Sequence, residues 1–69
     1  MKQIGKYQVT AIASGSEEGG WQARLVRRWV ENGKTLELKH TVDAVLPTET
    51  EALINAYHHA LLQVEEGVW

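Results

Sequence analysis

The dipeptide Asn32-Gly33 constrains this chain more than any other feature. It separates two runs rich in Trp, Val, Leu and Thr. Both central residues of a type I′ turn need positive φ, which Asn and Gly adopt most readily. A two-residue hairpin is therefore expected between a strand from about Trp21 to Glu31 and another from Lys34 to about Val45. Such a turn also fixes the register. Glu31 faces Lys34, Val30 faces Thr35, Trp29 faces Leu36 and Arg28 faces Glu37. Arg27 faces Leu38, Val26 faces Lys39, Leu25 faces His40, Arg24 faces Thr41 and Ala23 faces Val42. Two opposite-charge pairs, Glu31 with Lys34 and Arg28 with Glu37, emerge from a register chosen on the turn alone.

The same register sorts the two faces. Trp21, Ala23, Leu25, Trp29, Leu36, Leu38 and Val42 share one face, which is the core side. Gln22, Arg24, Arg28, Thr35, Glu37, Lys39, Thr41 and Asp43 share the other, with Val26 and Val30 among them. A slip of one residue would bury the charged set.

Upstream, Tyr7, Val9, Ala11 and Ala13 alternate with Lys6, Gln8, Thr10 and Ile12, the period of a half-buried strand. One strand from about Ile4 to Ala13 is expected, followed by a polar Gly- and Ser-rich loop, Ser14 to Gly20. Downstream, Pro47 ends the sheet. Thr48 with Glu51 three residues on forms a capping box that opens a helix. Leu53, Ala56, Tyr57, Ala60, Leu61 and Val64 make an apolar stripe at helical spacing, and Gly67 stops it. About 18 residues of helix span roughly 27 Å, close to the length of strands of eight to ten residues. The expected fold is α+β (βββα). It is a three-stranded antiparallel meander, order 1-2-3, with one C-terminal helix packed on one face, as a single domain over residues 1–69.

The chain's 69 residues make a small core with a thin stability margin. The apolar fraction of 43% argues against disorder. Without cysteine there is no disulfide and no thiol nucleophile. A reducing, cytoplasmic setting is expected. The first residues carry no apolar run of the kind found in a signal peptide. No stretch has the roughly 20 apolar residues of a membrane span, so no membrane association is expected. A formal net charge of −2 gives no overall attraction to nucleic acid.

Two residues interrupt the core face. Arg27 is expected to lay its stem along the core rim and pair with Glu65 or Glu66 at the helix end. His40 is expected to be a hydrogen-bonded core histidine rather than a catalytic group.

The residues do not assemble a recognisable catalytic pattern. Ser14 and Ser16 lie in a loop, without a Gly-x-Ser-x-Gly elbow. His58 and His59 are adjacent and point about 100° apart on a helix, with no ligand four residues away. Glu17-Glu18, Glu49 with Glu51, and Glu65-Glu66 read as solvated charge. The glycines of residues 15–20 join two strands and open no helix, so they lack the setting of a phosphate loop. No enzyme activity, metal or other cofactor is expected.

Binding remains. Sheet edges invite strand addition from a partner or a second copy. The exposed face carries Lys6, Arg24, Val26, Arg28 and Lys39 as a candidate binding surface, and Trp69 is a candidate hydrophobic contact. The segments Gly19-Gly20-Trp21-Gln22-Ala23 and Thr48-Glu49-Thr50-Glu51-Ala52, with a hairpin between them, resemble the partner-binding domain of HicB-type antitoxins. They also resemble other small bacterial three-strand-plus-helix proteins. That resemblance implies a strand meander leading to a Thr-x-x-Glu-Ala helix, in a bacterial protein that binds a partner. The expected function is a non-enzymatic protein-binding or accessory domain acting through an edge strand or the exposed sheet face, homodimerisation included. The alternative is a nucleic-acid-binding module using the mildly basic sheet face.

Overall fold

A computed structural model describes residues 1–69. Its sheet has four antiparallel strands in the order β1-β2-β3-β4, not three. They are β1 (Lys2–Ile4), β2 (Tyr7–Ser16), β3 (Gly20–Glu31) and β4 (Lys34–Leu46), followed by helix α1 (Glu49–Glu65).

The added strand comes from splitting the first expected one at Gly5-Lys6. Gly5 has φ 59°. Positive φ at the first central residue alone is the pattern of a type II′ turn, which prefers Gly there. Ile4 then pairs with Tyr7, and Lys2 with Val9. Ile4 and Tyr7 are both buried, which one continuous strand would not allow, because its side chains alternate.

The central hairpin keeps the expected register from Glu31/Lys34 to Arg24/Thr41. Asn32 and Gly33 have φ of 51° and 76°, the positive values that a type I′ turn requires. The expected Ala23–Val42 pair is replaced by a bulge. Gln22 pairs with Val45 while Arg24 pairs with Thr41, so Ala23 alone spans Val42 to Ala44. The offset is even, so side chains keep their faces: Ala23 and Val42 are buried and Asp43 is exposed. The expected long polar loop shortens to Glu17–Gly19, closed by a hydrogen bond from the Gly19 N–H to Ser16 Oγ (3.0 Å).

Helix α1 starts as expected. The Thr48 hydroxyl accepts from the Glu51 N–H at 3.1 Å, satisfying one of the free donors of the first turn. Its buried face is rotated from the expected stripe. Ala52, Ala56 and Ala60 are the buried residues, with Leu53 and Tyr57 half-buried and Leu61 exposed. Methyl side chains let the helix lie close against the sheet, where Val9 and Leu25 are fully buried. Larger side chains at the centre of the stripe would hold the two layers apart.

Strand and helix lengths do not match. At 1.5 Å per residue the 17-residue helix is about 25 Å long. The 13-residue β4 is about 43 Å long, and the whole molecule is 45 Å long. The turn end of the β3–β4 hairpin therefore projects beyond the helix.

Candidate functional site

The two sides of the sheet end differently. On the β1 side, β1 pairs with only the first residues of β2. Past that point the Ala11 N–H donates to the Tyr57 hydroxyl at 3.1 Å. On the other side, no strand lies beyond β4. Antiparallel pairs alternate between hydrogen-bonded and non-hydrogen-bonded, starting from a bonded pair at a two-residue turn. Lys34, Leu36, Leu38 and His40 therefore bond β3. The backbone groups of Thr35, Glu37, Lys39 and Thr41 face the open side.

Side chains on this edge divide by face. Glu37 and Lys39 stand on the outer face, away from the helix. Leu36, Leu38 and His40 stand on the helix side. Leu38 is 46% exposed there, because it lies on the overhanging part of the hairpin. Leu25, on the same face under the helix, is fully buried. The bulge at Val42–Ala44 ends the straight run at Thr41.

Behind this edge lies a cluster built around Arg27. Its guanidinium sits 5.0 Å from the Tyr7 ring, 5.1 Å from Trp29 and 4.5 Å from Trp69. Arg27 Nε donates to His40 Nε2 at 3.1 Å. The His40 ring stacks on Trp69, with centroids 4.8 Å apart. The chain reaches this position through its helix stop. Gly67 has φ 74°. Its N–H bonds the Val64 carbonyl, and the Val68 N–H bonds the Gln63 carbonyl. That Schellman pattern turns Trp69 back onto the sheet.

This arrangement corrects the expected partner of Arg27. Glu65 and Glu66 do not pair with it. The one ion pair in the molecule is Arg28–Glu37, at 2.7 Å. The guanidinium is held by aromatic faces and a neutral imidazole instead. Because His40 Nε2 accepts a hydrogen bond, its proton sits on Nδ1. Partial burial, then the charges of Arg27 and His59, hold His40 below the ordinary histidine range. The expected hydrogen-bonded core histidine is found, at the rim rather than the centre of the core.

Of the candidate surface residues, Arg24, Val26, Arg28 and Lys39 are neighbours on the outer face of β3 and β4. Lys6 occupies the β1–β2 turn, with its Nζ 5.4 Å from the Tyr7 ring. With Arg28, Gln3, Gln8 and Thr35 it lines a shallow depression of about 440 Å³. Arg28 is already bonded to Glu37. Val26 and Lys39 are cross-strand neighbours, and Arg24, opposite Thr41, is two residues from Val26 on the same face. Trp69 lies on the opposite face of the sheet, packed within its own chain. Tyr7, Trp21 and Trp29 also lie on the helix side.

An apolar groove of about 490 Å³ runs between β1 and α1, lined in part by Ile54, Tyr57, His58 and Leu61. No three His, Asp or Glu side chains come close enough to hold a metal ion. No helix is long and apolar enough to cross a membrane. The sequence reading placed Leu38 on the core face and Tyr57 in the apolar stripe, and named the sheet edges without saying which amides of β4 face outward. The turn type alone contained the signal for the last of these.

Comparison of the chain with protein-family models, with curated proteins and with solved structures found no match.

Proposed function

We propose that this chain is a non-enzymatic binding domain, bacterial and cytoplasmic, that recognises a protein by strand addition along β4. The observation that carries this reading is the open edge from Thr35 to Thr41, beside the half-exposed Leu38. Backbone groups on such an edge supply affinity, and alternating side chains supply specificity. Partner binding is also what the resemblance to HicB-type domains implies. The alternative, nucleic-acid binding through Lys6, Arg24, Arg28 and Lys39, has less support. Arg28 is neutralised by Glu37, and the sheet's aromatic rings face the helix rather than the open face where bases would stack.

The test is a backbone change at one atom. A 69-residue chain is within reach of chemical synthesis, so the Lys39 amide can be N-methylated. That N–H faces the open side, so the β3–β4 ladder survives. A partner purified with the unmodified chain should no longer bind the N-methyl form, whose fold and melting temperature stay close to those of the parent. Retained binding that disappears with modest salt, or on charge reversal at Arg24 and Arg28, would establish the nucleic-acid reading instead. Retained binding that is indifferent to both changes would refute recognition at this edge.

A further inference from the structure

The edge of β4 is complementary to itself, and we infer that its partner is a second copy of this chain. The inference rests on the binding reading above and gives it an occupant. Two β4 strands related by a twofold axis through Leu38 would pair antiparallel. The outward-facing backbones of residues 35, 37, 39 and 41 then meet only one another, as an antiparallel ladder requires. Glu37 stands opposite Lys39 of the second copy, and Lys39 opposite Glu37. Thr35 stands opposite Thr41 in both directions.

Each sheet already prepares this charge row. Arg28 holds Glu37 from one side at 2.7 Å, so Lys39 of the second copy completes an alternating series on the outer face. Lys39 faces Val26 within its own sheet and forms no ion pair there, so the axis brings it an opposite charge directly across. On the helix side, the two Leu38 side chains meet at the axis, each covering the other's exposed surface. His40, under Trp69, comes beside Leu36 of the second copy.

Neighbouring registers are worse. Centring on Lys39 or on Glu37 sets each of those residues against itself, and like charges directly opposite oppose pairing. Centring on His40 sets Glu37 against Asp43. Centring on Leu36 runs the pairing into the Asn32-Gly33 turn. The bulge beyond Thr41 closes off registers that would slide further. The charges that complete the self-match also discourage unrelated strands, as charged edge residues do in many sheets.

The experiment is sedimentation analysis of the wild type, E37K and K39E, alone and mixed. The wild type should form a reversible dimer. K39E removes no partner within its own sheet and should fold normally. It should dimerise at least about tenfold more weakly, because it sets two acidic pairs across the axis. E37K should weaken self-association similarly through two basic pairs. An equimolar mixture of E37K and K39E should form a heterodimer, since opposite charges then face each other at both positions. Wild-type chain that stays monomeric when concentrated, unaltered dimerisation of K39E, or no heterodimer in the mixture would each overturn the inference. Loss of partner binding in the Lys39 N-methyl chain, with the wild type monomeric, would leave the edge reading standing and remove only the second copy as its occupant.

Discussion

One border of the sheet is partly covered and the other is open. On the β1 side, a short strand covers the start of β2, and a tyrosine hydroxyl from the helix takes the next amide, that of Ala11. On the β4 side, a 13-residue strand has no neighbour on its outer edge. The half of the sheet under the helix is sealed by alanine-to-sheet contact, whereas the overhanging hairpin keeps Leu38 partly in water. An edge strand is a hazard that natural sheets usually blunt. This chain blunts part of one border and leaves a straight, self-complementary run on the other. The difference is the ground for proposing β4 as its association surface.

Leu25 and Leu38 offer the largest contrast. Both lie on the helix side of neighbouring strands. Leu25→Ala should cost about 2–5 kcal/mol in denaturant titration, enough to leave much of so small a domain unfolded. Leu38→Ala in dilute solution should cost only about 1 kcal/mol, since half of the side chain is already in water. Equal losses at both sites would erase the distinction between sealed and open regions.

A smaller effect probes the partly covered border. Tyr57→Phe should cost about 1 kcal/mol and speed exchange at the Ala11 amide. Unchanged exchange would mean that the hydroxyl does not cover this border.

The smallest effect concerns His40, on the open strand beneath Trp69. Its proton affinity is lowered in the folded chain, so the unfolded chain binds the proton more readily. The stability that His40 contributes is therefore complete above the unfolded histidine value of about 6.5. It declines as pH falls through that value toward the lower folded one. Across this range the wild type should lose more stability than His40→Gln, whose amide oxygen can still accept from Arg27. Trp69 fluorescence should change over the same range. Parallel pH profiles for the two proteins would contradict the neutral-imidazole account.

Much of the frame was legible because local rules dictated it. The Asn32-Gly33 turn fixed the pairing as far as Arg24/Thr41, and Thr48 with Glu51 fixed the helix start. The split at Gly5-Lys6 was not read. Its trace was present, since Ile4 and Tyr7 are both apolar yet fall on opposite faces of a single strand. The helix face was misjudged because hydrophobicity favours Leu and Tyr, while close approach to a sheet favours Ala. The bulge opposite Ala23 left no mark, since an even offset preserves the alternation. Arg27 found aromatic rings instead of Glu65 or Glu66 because Gly67 redirects the chain, and Trp69 belongs to no periodic pattern. The candidate basic face was assembled from residues that share a side of the sheet and are neighbours there, but Arg28 is paired with Glu37. The open amides of β4 followed from the turn type, once the sheet was known to end there.

Amide hydrogen exchange, resolved by residue and recorded in dilute and in concentrated solution, tests the central claim most directly. In dilute solution the Thr35, Glu37, Lys39 and Thr41 amides should exchange fast while those of Leu36, Leu38 and Ala11 are protected. In concentrated solution the four fast amides should slow together. If those four are as protected as Leu36 and Leu38 in dilute solution, or remain fast while the chain associates, β4 is not the edge through which this protein binds.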